Sequence, residues 1–493
     1  MKRFYLMVMA VAMACFLLIP GLASAKKMGS GEVTAGNVNI EIFGSLAVQP
    51  KFVSDANFGE KGGGDFLFYT NGKYADHAVR QQSRLGFKGG NENFSFLMTL
   101  ESEWNYDADN ADRENAANAE SGALAGSSGS DFGIERMHME YNALPVDMFA
   151  GWDFYSIDAR GGGGFMLGDD IPYIGVKGTL AEGVTWDVRY FVRDDGISGT
   201  WLNREGQVWA ENGDWRFATA NMVFPAGPMN FQPTYIYSVA NIKDSPETAR
   251  TNYLGFSTWG NLDIGAMNLT PKAEFFYALG EMEDYQMANG EDSDIRSMGA
   301  FAGAEMTVSP AVTPYFGGYW LQGDDEAHDD EINAFNAPTN AAAILGMFGM
   351  PNGLLNQGWL AYGKAPFTNQ PETLGDGSPY GTVGLSGSST NPGLQTLGLG
   401  FKGTVMENLS YKTQYQYMMY EETGALEDQN DGISIDNEMG HMFDLNLTYR
   451  LSKNYSIGNT FSYFQPGEGI EDRKGSTSLD PTIYDSVNFT FHF

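Results

Sequence analysis

Charged side chains recur at alternate positions in several short stretches of this chain. Arg84 and Lys88 share one phase, Glu101 and Glu103 another, and Arg136, His138 and Glu140 follow at every second residue. Asp187, Arg189 and Arg193 repeat the pattern, while Asp153 and Arg216 stand in stretches of the same kind. Such groups can either shuttle protons or set an electric field. Proton chemistry needs a positioned base beside a nucleophile or metal. The sequence offers no Gly-x-Ser-x-Gly elbow and no His-Glu-x-x-His, and its five histidines (77, 138, 328, 441 and 492) are scattered. Its single cysteine, Cys15, allows neither a disulfide framework nor a thiolate metal site. The acidic run Asp107-Ala108-Asp109-Asn110-Ala111-Asp112 lacks the spacing of a calcium loop. No catalytic residue, metal or cofactor is therefore expected, and the charges read as a lining that acts through its field.

The elements that carry them are strands. Val184, Trp186, Val188, Tyr190 and Val192 alternate with Thr185, Asp187, Arg189 and Arg193; Phe94, Phe96, Met98 and Leu100 alternate with Ser95, Thr99 and Glu101. A period of two puts the apolar set on one face and the charged set on the other. Short connections such as Ala181-Glu182-Gly183, Pro225-Ala226-Gly227 and Ser452-Lys453-Asn454 alternate with long polar ones at 107–120, 281–294, 324–331 and 421–436. Another short turn is expected around Met267-Asn268. Two loop-length classes in strict alternation are the mark of a transmembrane antiparallel β-barrel. Counting from the turns gives about eighteen strands between residues 38 and 493, with sixteen as the other even count. A soluble sandwich would bury its apolar face in a core and would not need the two loop classes.

Composition narrows the partners. With 62 Asp and Glu against 29 Lys and Arg the net charge is −33, so the chain lacks the basic footprint that nucleic acid requires. Lys2 and Arg3, the apolar run Phe4 to Ile19 and Ala23-Ser24-Ala25 read as a signal peptide over residues 1–25. A short linker (26–36) then leads into the barrel (37–493), whose surroundings would be outer-membrane lipid. Trp104, Trp152 and Trp259 are expected beside the long loops, and Tyr141, Tyr411 and Tyr455 beside the short turns, as interfacial girdles.

Two stretches resemble the general diffusion porins of Gram-negative outer membranes. One is Ser83-Arg84-Leu85-Gly86-Phe87-Lys88-Gly89, followed by a turn and Phe94 to Glu101; the other is the terminal Val487-Asn488-Phe489-Thr490-Phe491-His492-Phe493. The resemblance implies a bacterial outer-membrane location and passive diffusion of small hydrophilic solutes and ions. It also implies a homotrimer and recognition of Phe493 by the barrel-assembly machinery. The eighteen strands depart from the sixteen common in that family. By the same resemblance the loop 156–171, with Asp158, Asp169 and Asp170, occupies the place of a constriction loop.

If the apolar phase faces lipid, Arg84, Lys88, Glu101, Glu103, Arg136, Glu140, Asp153, Asp187, Arg189, Arg193 and Arg216 line the pore. Acidic loops at the mouth argue for weak cation selectivity, whereas the arginine-rich wall argues for anions at the constriction. The segment 323–392 is either a large external loop with its own core or a loop folded into the lumen. The alternatives to a general porin are a substrate-specific channel and a surface-structural barrel with a plugged lumen.

Overall fold

The computed structural model describes residues 31–35, 38–54, 68–70, 73–75, 77–106, 133–157, 166–195, 214–241, 248–285, 290–326, 329–335, 337, 392–429, 432–475 and 479–493. The expected signal peptide lies outside them. Eighteen strands close into one antiparallel barrel. The first nine are β1 (Val38–Ser54), β2 (His77–Gly90), β3 (Phe94–Tyr106), β4 (Gly133–Tyr141), β5 (Asp147–Ser156), β6 (Gly168–Ala181), β7 (Val184–Asp195), β8 (Asp214–Ala226) and β9 (Met229–Asn241). The others are β10 (Thr248–Gly260), β11 (Met267–Tyr285), β12 (Glu291–Thr307), β13 (Thr313–Leu321), β14 (Leu394–Met406), β15 (Leu409–Met419), β16 (Glu438–Ser452), β17 (Tyr455–Pro466) and β18 (Thr482–His492). Each pairs with its sequence neighbours, and β18 pairs with β1, which removes every open edge.

The outer face is apolar because alternate residues point to it. Val188 and Tyr190 on β7, Leu254 and Phe256 on β10, and Leu397, Leu399 and Phe401 on β14 are all exposed there. The strands outgrow the expected ranges mainly at their long-loop ends, where pairing continues above the apolar belt. The short turns are set by local chemistry. Gly183 and Gly227 hold φ of 76° and 63°, a conformation that glycine adopts without steric cost. The turn after β10 falls at Gly265 (φ 64°) rather than at Met267-Asn268, because Leu262–Ile264 continues pairing with β11. Residues 31–35, expected in the linker, instead form a strand along the start of β1. The terminal Phe493 exchanges backbone hydrogen bonds with Gly44 (3.1 and 3.2 Å), and a side chain at Gly44 would collide with its ring.

The core lies inside the barrel. Every strand from β5 to β18 contributes an inward apolar residue that is at most 8% exposed, among them Phe149, Phe217, Tyr253, Phe301, Met418 and Tyr484. Side chains facing an open aqueous lumen would be wet. These are dry because loop segments fold inward onto them, presenting Met166, Leu167, Ile332, Phe335, Leu426 and Ile470. Leu426 comes from the short helix α1 (Gly424–Gln429), and Ile470 from α2 (Glu468–Lys474). Each buried aromatic or aliphatic side chain contributes about 1.5–3 kcal/mol to holding a loop there.

Candidate functional site in the barrel lumen

The register places Arg84, Lys88, Glu101, Arg136, Glu140, Asp153, Asp187 and Arg189 on the inward face of β2 to β7. They form linked ion pairs. Arg84 bridges Glu101 (3.2 Å) and Glu135, and Arg136 stands 3.7 Å from Glu135 and 3.6 Å from Asp153. Glu140 accepts from Lys177 at 2.7 Å and lies 3.5 Å from His138, whose Nδ1 is 2.8 Å from the Tyr173 hydroxyl. The Arg189 guanidinium donates to both Asp187 oxygens (2.8 and 2.9 Å). Its flat face is boxed by Tyr155 (3.9 Å), Phe149 (4.4 Å) and Tyr173 (4.9 Å). Cation–π contact and a two-point carboxylate fix this arginine in one orientation. Lys88, near the short-turn end, pairs with Glu41 at 3.1 Å.

Several expected positions fall elsewhere. Arg216 pairs across the sheet with Val192 and Val239, and therefore points outward. The reason is that β8 turns its other row, with the buried Phe217 and Thr219, toward the lumen. Asp169 and Asp170 belong to β6, paired with Tyr155 and Phe154, and not to the loop before it. Asp158 and the side chains of Glu103, Arg193, Asp169 and Asp170 lie outside the described residues. Trp259 stands at the short-turn end of β10, on the inward row with Tyr253 and opposite Lys272, so it is not part of an outer girdle.

Strict alternation also misses residues that the fold brings in. Glu135 reaches Arg84 because a bulge in β4 breaks the phase between Ile134 and Arg136. A second charged wall stands on β11 to β15. Lys402 and Lys272 both approach Glu305 (2.5 and 3.5 Å), and Lys412, paired with Lys402, lies over the Tyr315 ring at 5.7 Å. Glu274 and Asp444 on this side are buried, the latter accepting from Gln414 (3.0 Å) and Ser462 (2.5 Å). The alternation of Lys412, Gln414 and Gln416 with Tyr411, Thr413, Tyr415 and Tyr417 was the signal for it.

The described part of segment 323–392 folds into the barrel. Ile332 pairs in parallel with Ile295 of β12, and the Phe335 ring meets the inward-facing Tyr253 of β10 edge-on at 6.4 Å. Within it Asp324 is fully buried, its oxygens accepting the N–H groups of Glu326 (3.3 Å) and Asn333 (3.1 Å). Burial without a countercharge pushes its carboxyl up to about 8, with Asp329 and Asp325 adding repulsion. The folded value lies above the ordinary 3.8. The stabilisation is thus complete below that value and vanishes as pH rises through about 8. Thermal stability in detergent is expected to fall between about pH 4 and pH 8, and Asp324→Asn to flatten that part of the slope.

A closed β-barrel with an apolar outer belt, inward-folded loops and a charged lumen has the architecture of an outer-membrane channel. No protein-family model matches the sequence, and no curated protein matches it in sequence. Among solved structures it is similar to OccAB2 of Acinetobacter baumannii, with a TM-score of 0.50, 10% identity, and coverage of 92% of this chain and 98% of that one. OccK9 (OpdG) of Pseudomonas aeruginosa is similar at a TM-score of 0.50 and 12% identity, again over 92% and 98% of the two chains. At these identities the likeness is one of fold, and it spans nearly the whole of each chain.

Proposed function

We propose that the protein is a solute-selective channel of the bacterial outer membrane that passes small solutes bearing a carboxylate or other anionic group. The observation that carries this reading is the lumen itself. Inward-folded loops occupy an apolar girdle around fourteen strands, which argues against an unrestricted pore. The charged walls differ in what they offer a solute. On β2 to β7, Arg84, Arg136, Lys177 and Arg189 are matched by Glu101, Glu135, Glu140, Asp153 and Asp187. On β11 to β15, Lys272, Lys402 and Lys412 gather around Glu305, while Glu274 and Asp444 are covered. A solute's anionic group is drawn to the lysine side, and the opposite wall holds its polar or cationic end.

The reading replaces weak cation selectivity as the working expectation, since Lys272, Lys402 and Lys412 gather on one side of the lumen around Glu305. It is tested by uptake into proteoliposomes. Flux of small carboxylates is expected to saturate and to be inhibited by related anions. Linear, equal flux of carboxylates and neutral sugars would return the general-porin reading.

A further inference from the structure

Two lysines of the lumen start side by side and end on different anchors. Lys402 on β14 and Lys412 on β15 are direct cross-strand partners on the inward face. Like charges opposite one another in an antiparallel pair repel, so the two side chains must diverge. Lys402 reaches past β13 to Glu305 on β12 (2.5 Å), which also holds Lys272 (3.5 Å). Lys412 lies instead over the ring of Tyr315, its Nζ 5.7 Å from the centroid.

That ring is fixed by parts of three strands. Tyr315 belongs to β13, its ring lies across Gly400 of β14, and its hydroxyl donates to the Thr413 carbonyl of β15 at 2.9 Å. A Cβ at Gly400 would collide with the ring's Cζ and hydroxyl, so glycine leaves that seat open. Covered to 1% exposure and pinned at its hydroxyl, the ring keeps one orientation.

The two anchors differ in what they leave to a solute. A carboxylate cancels the charge that it holds. An aromatic face attracts an ammonium through its quadrupole and leaves the positive charge in place. On its other side Lys412 pairs with Asn446 of β16, a neutral amide. Asp444, one inward step along β16, is engaged by Gln414 (3.0 Å) and Ser462 (2.5 Å).

We propose that Tyr315 is a positioning residue for solute selection, holding Lys412 as the cation that receives the solute's anionic group while Glu305 engages Lys402 and Lys272. The proposal rests on the reading of a solute-selective channel for anionic solutes. Tyr315 acts through Lys412 and not by touching the solute.

The test is uptake of acetate, succinate and benzoate into proteoliposomes, with glucose as the neutral probe. Tyr315→Leu is expected to raise half-saturation for the carboxylates about fivefold, with maximal flux and glucose flux unchanged. Tyr315→Phe, which keeps the ring, is expected to bring half-saturation back to within about twofold of the unmodified protein. In a Lys412→Gln background Tyr315→Leu is expected to add nothing, because the ring then has no ammonium to hold. Should Tyr315→Leu not fold, Tyr315→Met, whose unbranched chain adapts to the site, takes its place. Unchanged half-saturation in the folded variant, or an equal rise in the Lys412→Gln background, would overturn the proposal alone. Carboxylate flux that never saturates in the unmodified protein would overturn the solute-selective reading and the proposal with it.

Discussion

Reversing the charge of Lys402 and Lys412 together (Lys402→Glu, Lys412→Glu) is expected to abolish saturable uptake of anionic solutes. The same change should move the reversal potential in a KCl gradient toward cations. The lysines face the lumen beside Lys272, and Glu305 pairs with both Lys402 and Lys272. A charge-assisted hydrogen bond to a bound anion is worth about 1.5–3 kcal/mol, so each lost contact weakens binding roughly 10- to 100-fold. Reversal adds repulsion to that loss. Neutralisation (Lys402→Gln, Lys412→Gln) should give an intermediate result, with half-saturation raised and maximal flux nearly retained. Both positions lie three or four residues from the β14–β15 turn, and neither carries the apolar girdle. Unchanged half-saturation in the folded double reversal would remove the lysine wall from the selection step.

The second large effect concerns the inward-folded segment. Phe335 is 2% exposed, its ring lies against Tyr253, and its N–H donates to the Gln322 carbonyl at 2.8 Å. Phe335→Asp would place a carboxylate against the Tyr253 ring in this apolar contact. Burying it costs several kcal/mol, more than the girdle gains from one phenylalanine, so the segment should leave the wall instead. The barrel itself survives, because its strands are held by backbone ladders that the substitution does not touch. Single-channel conductance is expected to rise severalfold and uptake of carboxylates to lose saturation. Conductance equal to that of the unmodified protein would show that this segment does not restrict the lumen. Phe335→Leu, which keeps the contact apolar, should leave conductance unchanged.

The strand framework was legible because each step of it is local. Val184 to Val192 alternate in phase, and the Gly183 and Gly227 turns carry residues suited to tight connections, so strand order and an even count near eighteen followed without tertiary information. The charged groups of β2 to β7 were legible for the same reason, as long as the phase was unbroken. Where it broke the reading failed. Arg216 points outward because β8 turns the buried Phe217 and Thr219 inward, against the apolar-outward rule, and Glu135 joins Arg84 through the bulge in β4. A bulge adds a residue without changing composition, so no pattern of types announces it.

The inner girdle was hidden in another way. Phe217 and Ile236 sit on the inward face that a water-filled barrel would make polar, and their partners Met166 and Leu167 lie far away in sequence. Sequence alone determined that this chain makes a closed antiparallel barrel of an even number of strands near eighteen, since alternation, turn residues and loop lengths are properties of neighbours along the chain. Only the tertiary structure decided which charges meet, which loops fill the lumen and which face of the barrel is polar. Those depend on register, and register is settled by pairing between strands rather than by any one strand's residues.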